Sequence, residues 1–132
     1  MATQLEAARK GTITRQVRSV AAAENLAPKF VRDEIAAGRL VIPANKLHIK
    51  TNLRPVGIGR ALTTKVNANI GTSSISSLAA DEIKKMKAAI DSGADCIMDL
   101  STGGDIDMIR RRLLARCPLP FGTVPIYQVI EN

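Results

Sequence analysis

Asn67 and Asn69 place two carboxamides on one side of the short segment of residues 65–70 (KVNANI), because side chains alternate along a strand. A carboxamide both donates and accepts hydrogen bonds, and on an apolar face it is costly unless something bonds it. That partner is either a ligand or a neighbouring loop. Met98 follows Asn69 by 29 positions and Tyr127 follows Met98 by 29, and each of the three stands at or near the C-terminal end of a strand candidate. In α/β folds that edge binds ligands, because its loops have no packing duty and helix N-termini point at it. Met98 shares its face with Cys96 and Leu100 by the same alternation. Asp99 ends its strand with a carboxylate that serves as acid, base or ligand, or caps the loop behind it. That loop, Ser101-Thr102-Gly103-Gly104, either binds an anion through backbone N–H groups or is a capped strand-to-helix turn.

The elements that position these residues follow from periodicity. Residues 65–70 read as a strand, and the helix after the loop carries Ile83, Met86, Ala89 and Ile90 inward, with Ser77 as N-cap and Gly93 as its left-handed stop. Residues 96–100 (CIMDL) are the next strand, and Ile106, Ile109, Leu113 and Leu114 line the next helix up to Cys117-Pro118. Residues 122–126 form a third strand ending at Tyr127. Strands alternating with helices of this length imply βαβ units and a parallel sheet. Alternation then turns Val66, Ala68, Ile70 and Ile97 toward the helices. Three such units are too few to close a barrel, and a free strand edge invites another element or chain. The fold class expected is therefore α/β: a helical N-terminal region, then the first βαβαβ units of a (β/α)8 barrel, truncated. A doubly wound sheet completed by dimerisation is the alternative.

The first half reads differently. Thr3 and Glu6 make a capping box and Gly11 ends that helix; Thr14 caps a second helix with Val17, Val20 and Ala21 on one face; Pro28 opens a third with Phe30, Val31 and Ile35 inward, closed by Gly38. Residues 40–42 are a short strand stopped by Pro43. A connection of little periodicity then runs to Arg60, so residues 1–60 read as an adaptor or ordered arm rather than an independent core. Residues 61–132 read as the first three strands and two helices of the barrel.

The formal charge of +7 lies entirely in residues 1–60, where 11 Lys and Arg face 4 Asp and Glu; residues 61–132 carry 8 of each. The basic residues are scattered, and the chain's aromatics amount to two Phe and one Tyr, too few for base stacking. Nucleic-acid binding is therefore the minor reading. Arg110-Arg111-Arg112 reads as a solvated helix face. Two cysteines 21 positions apart and one histidine, His48, do not make a disulfide framework or a tetrahedral metal site, so no metal is expected on this chain's own residues. No stretch has the length and apolarity of a membrane helix and no apolar signal core opens the chain, which makes a cytoplasmic location the expectation. The phosphate-loop, H-E-x-x-H and nucleophile-elbow patterns are missing.

Five strings carry a resemblance in collinear order: residues 41–45 (VIPAN), 55–59 (PVGIG), 65–73 (KVNANIGTS), 98–103 (MDLSTG) and 122–128 (GTVPIYQ). With residues 3–11 and 30–39 (FVRDEIAAGR) they resemble the N-terminal part of the phosphomethylpyrimidine synthase family of thiamine biosynthesis, the ThiC family. The resemblance implies a lyase that converts 5-aminoimidazole ribonucleotide to hydroxymethylpyrimidine phosphate, using a radical generated from S-adenosylmethionine at a [4Fe–4S] cluster. It also implies a (β/α)8 barrel, a zinc site and a homodimer. Substrate contacts carry over to Asn69, Met98 and Tyr127: a donor and acceptor, an adaptable apolar wall, and a ring with a hydrogen-bonding tip. The family's cysteine motif and zinc-binding histidines have no match here, and Cys96, Cys117 and His48 correspond to none of them. The chain alone is thus expected to be inactive and to associate with itself or a complementary part. The alternative is a non-catalytic ribonucleotide-binding or regulatory protein derived from that family.

Overall fold

The computed structural model describes residues 2–45, 47–48, 52–75 and 78–131. These form a mixed α/β structure of two compact units, one of residues 1–44 and 55–64, the other of residues 45–54 and 65–132.

The first unit holds three short helices, α1 (Gln4–Arg9), α2 (Arg15–Ala23) and α3 (Pro28–Ala36). The Thr3 hydroxyl accepts from the Glu6 N–H at 3.1 Å while the Glu6 carboxylate accepts from the Thr3 N–H at 2.7 Å, so two N–H groups that a helix start leaves free are satisfied reciprocally. The Thr14 hydroxyl accepts from the Val17 N–H at 3.2 Å, and Pro28, lacking an N–H, opens α3. A two-stranded antiparallel ribbon follows, β1 (Leu40–Val41) with β2 (Ile58–Gly59). Ala8, Val17, Val20, Ala21, Val31, Ile35, Leu40 and Ile42 form one buried cluster. This half therefore has a core of its own, where an arm without one was expected. No single segment shows it, because each helix contributes only a narrow stripe. Phe30, expected inward, is exposed.

The second unit is built on a parallel sheet, β3 (Asn67–Ile70), β4 (Cys96–Asp99) and β5 (Phe121–Thr123), in that spatial order. Helices α4 (Ala79–Asp91) and α5 (Ile106–Leu114) pack together, and Ile70, Met86, Ile97, Ile109, Leu113, Cys117 and Leu119 form the core, with Ala68 and Phe121 against it. Alternation holds for Ala68, Ile70 and Ile97. It fails at Val66, which is 58% exposed. Val66 lies just ahead of β3, where its N–H donates to the Asp95 carboxylate and its carbonyl accepts from the Asp95 and Cys96 N–H groups; backbone pairing places this residue and no packing requires its side chain. The expected N-cap Ser77 lies outside the described residues. Among the described residues no helix is long and apolar enough to cross a membrane.

The third strand is shorter than expected. It ends at Thr123, and α6 (Pro125–Glu131) begins two residues later. Pro125 has no N–H to donate to a ladder and a φ suited to a helix start, so the chain turns where an extended reading of residues 122–126 would continue.

Candidate functional site

Parallel pairing fixes what shares the open face of the sheet. Asn67 lies opposite Cys96, Asn69 opposite Met98, and Met98 opposite Gly122. The 29-residue interval is thus the β3–β4 register itself. Asn67 and Asn69 are exposed while Cys96 and Met98 are half-buried, on the side away from the core helices. The Asn67 carboxamide donates to the Asn69 side-chain oxygen at 3.3 Å, which leaves the Asn69 amide N–H groups directed to no described residue. The Met98 thioether leans across the glycine of the next strand: a Cβ at Gly122 would lie 2.9 Å from both Sδ and Cε. Only a residue without a side chain leaves Met98 this position.

Tyr127 enters differently. Its interval of 29 from Met98 is no register, because the ladder partner of Met98 is Gly122. Tyr127 stands in the first turn of α6, past the C-terminal end of β5, with its ring partly exposed. The structure therefore brings Asn69 and Met98 side by side on one face and sets Tyr127 on a separate element at the same end of the sheet.

The loops at that end are held by buried polar groups. The Thr72 N–H donates to the Ser101 hydroxyl at 3.1 Å, the Thr72 hydroxyl donates to the Gly103 carbonyl at 2.6 Å, and the Thr102 N–H donates to the Thr72 carbonyl at 2.9 Å. A Cβ at Gly103 would lie 2.5 Å from the Ser73 carbonyl carbon, so the two loops touch backbone to backbone. Glu82 on α4, 1% exposed, accepts from the Gly71 N–H at 2.8 Å and from the Lys85 ammonium at 2.6 Å. The Ser101–Gly104 segment is a capped strand-to-helix turn, with Asp105 accepting from the Met108 N–H at 2.9 Å as N-cap.

Asp99 alternates to the helix side of the sheet and is fully buried. One oxygen accepts from the Ser101 N–H at 3.0 Å and from the Ser101 hydroxyl, and the other accepts from the Arg110 Nε at 2.5 Å. Of its two readings the loop cap is the observed one. Arg110, read as part of a solvated face, is buried, while Arg111 and Arg112 are exposed. A run of three arginines carries no mark of which one faces inward; the helical phase relative to Ile106, Ile109 and Leu113 does. Glu82, not singled out by the sequence analysis, shares the inward phase of Ala79 and Met86, which is the signal that marks it.

The described residues do not fit a metal or cluster. No group of three or more His, Cys, Asp or Glu gathers among them. Burial raises the pKa of both thiols, Cys96 further through the Asp95 charge, whereas a cluster needs several thiolates together. The Cys117 thiol donates to the Leu119 carbonyl, and the His48 ring nitrogen lies 2.7 Å from the Cys117 carbonyl oxygen. A cavity of about 420 Å³ in this unit is lined by Asn45, Leu47, His48, Leu114, Phe121 and Thr123 among others, and includes none of Asn69, Met98 and Tyr127.

Comparison with known proteins places these observations. The phosphomethylpyrimidine synthase of Moorella thermoacetica is 56% identical over 126 residues, covering 96% of this chain and 29% of that protein. Those of Carboxydothermus hydrogenoformans, 52% identical over 126 residues, and Desulforamulus reducens, 52% identical over 131, cover 29% and 30% of their own lengths. The chain thus spans less than a third of the curated relatives it matches. A sequence model described as the radical SAM ThiC family matches residues 3–132, nearly every position from the Thr3 cap through the Tyr127 helix, and the chain belongs to that family.

Proposed function

We propose that this chain forms the substrate-facing N-terminal part of a phosphomethylpyrimidine synthase, a cytoplasmic radical enzyme of thiamine biosynthesis acting on 5-aminoimidazole ribonucleotide. The observation that carries the reading is the register pair Asn69–Met98 on the open face of the sheet in a chain of this family. Asn69 offers amide N–H groups to the ribonucleotide's polar atoms, Met98 forms an apolar floor across Gly122, and Tyr127 closes the end of the sheet with an aromatic ring and a hydroxyl. The reaction's [4Fe–4S] cluster, S-adenosylmethionine and zinc are held by residues other than those described here. The chain's contribution is to bind and orient.

In this reading β3, β4 and β5 are the opening strands of a (β/α)8 barrel. The edge of β5 that pairs with no strand among the described residues and the exposed Ile126, Val129 and Ile130 of α6 are then covered by the rest of the barrel or by a second subunit, since unpaired edges invite another element or chain.

The test is Asn69→Ala in the full-length polypeptide that carries this segment. Because the side chain is exposed, the melting temperature should hold, while ribonucleotide binding measured by calorimetry weakens by about 1–3 kcal/mol for a lost hydrogen-bond partner. Unchanged affinity would overturn the assignment.

A further inference from the structure

We propose that Arg110 is a positioning residue that sets the placement of Tyr127 by clamping its helix to the end of β4. The proposal rests on the reading of Tyr127 as a substrate contact. Arg110 is 9% exposed. Its Nε donates to the buried Asp99 carboxylate at 2.5 Å, and its Nη1 donates to the Gln128 side-chain oxygen on α6, adjacent to Tyr127. The Gln128 amide nitrogen then donates to Asp107 at 2.8 Å. Asp99 in turn holds Ser101. One guanidinium thus joins the end of β4, the loop behind it, helix α5 and helix α6.

Among the described residues the side-chain hydrogen bonds of α6 run through Gln128, while Ile126, Val129 and Ile130 are exposed. Apolar packing does little to fix this short helix, so its angle depends on the clamp. The chemistry is specific to arginine. A rigid fork reaches a carboxylate and a carboxamide at once, whereas a lysine ammonium is a single point on a flexible stem. For stability alone the arrangement is poor. A buried ion pair is often matched by apolar residues of like volume, and the Arg110 Nη2 is buried with no hydrogen-bond partner among the described residues, which is unfavourable. What the clamp supplies is geometry: it ties the element bearing Tyr127 to the strand bearing Met98.

The experiment uses the full-length enzyme carrying this segment, with the dissociation constant for 5-aminoimidazole ribonucleotide read by calorimetry and the melting temperature read alongside. Gln128→Leu cuts the tether and leaves the Asp99–Arg110 pair in place. It should weaken binding by about tenfold, a coupling of ordinary size for contacting residues, with little change in melting temperature. Gln128→Glu restores an acceptor to Arg110 but sets a carboxylate against Asp107, so it is paired with Asp107→Asn, which supplies the missing donor, and the double variant should recover the affinity. Arg110→Lys should weaken binding as Gln128→Leu does. In a Tyr127→Ala background, Gln128→Leu should add no further loss. The clamp is overturned if Gln128→Leu lowers the melting temperature and leaves affinity unchanged, or if its effect adds in full to that of Tyr127→Ala. If Tyr127→Ala itself leaves affinity unchanged, the substrate-contact reading falls and the clamp with it, a result distinct from the other two.

Discussion

Asn69 and Met98 are neighbours across a parallel ladder, and their side chains share the face of the sheet turned away from its helices. The pair forms because the 29 residues from Asn69 to Met98 carry the chain through a helix and two loops and return it to the same level of the sheet. What lies across from Met98 on the other side is a glycine, and the thioether occupies the space that glycine leaves.

Gly122→Ala places a methyl group against the far end of a flexible side chain, so Met98 can move aside. Stability should change by less than about 1 kcal/mol, within the range of tolerated repacking. On the proposed reading of Met98 as an apolar floor, ribonucleotide affinity of the full-length polypeptide should fall as well. Denaturant unfolding and calorimetric titration of the same variant separate the two effects.

Gly103→Ala presents the opposite case. The new methyl group meets the Ser73–Ser74 backbone, which has no rotamer to yield. The two loops must separate, at a cost of roughly 1–3 kcal/mol. Gly93→Ala is the control: it sits at φ +89 with nothing near its Cβ position, so it should incur only the left-handed penalty of roughly 1–2 kcal/mol. Hydrogen exchange at the Thr72 and Thr102 amides should accelerate in the first variant and stay unchanged in the second.

Ile97→Ala should destabilise by about 2–5 kcal/mol, the range for emptying a fully buried position. Val66→Ala, at a position expected from alternation to face the helices, should change stability by less than about 0.5 kcal/mol because its side chain is exposed. Urea unfolding midpoints check both.

Glu82→Ala leaves the Gly71 N–H without its acceptor, and should destabilise by about 1–3 kcal/mol. Glu82→Gln keeps an acceptor oxygen and should be milder. A double-mutant cycle with Lys85 separates the loop bond from the ion pair.

Burial raises the pKa of Cys96 and Cys117 above the ordinary thiol value of 9.0. The folded state therefore holds these protons while the unfolded chain loses them, so this contribution is complete below pH 9 and declines as pH rises through the folded-state values. Melting temperature should fall above pH 9, and less steeply in a Cys96→Ser, Cys117→Ala double variant. Cys117, fully buried and hydrogen-bonded to Leu119, should also react with iodoacetamide more slowly than Cys96.

The helices α1 to α5, the β3–β4 alternation and the Asn69–Met98 pairing were legible in the chain, because capping residues, prolines and the two hydrophobic periods are local properties. The family strings named the same positions. What the chain alone left undecided depends on which distant groups meet. Whether Asp99 acts as a site carboxylate or a loop cap turned on Ser101 and Arg110 arriving from the loop and from α5. The inward phase of Arg110 with Ile106, Ile109 and Leu113 is a local property, but what allows a charge at that position is Asp99 lying opposite it. Whether the first half has a core turned on three narrow stripes closing on one another. Tyr127 reached the C-terminal end of the sheet on a helix because Pro125 breaks the ladder, and its tether to β4 exists only where Gln128 and Arg110 come together in space. Local periodicity specifies elements; a buried charge can be assigned only once its partner's position is known, since burial without a partner is too unfavourable to occur.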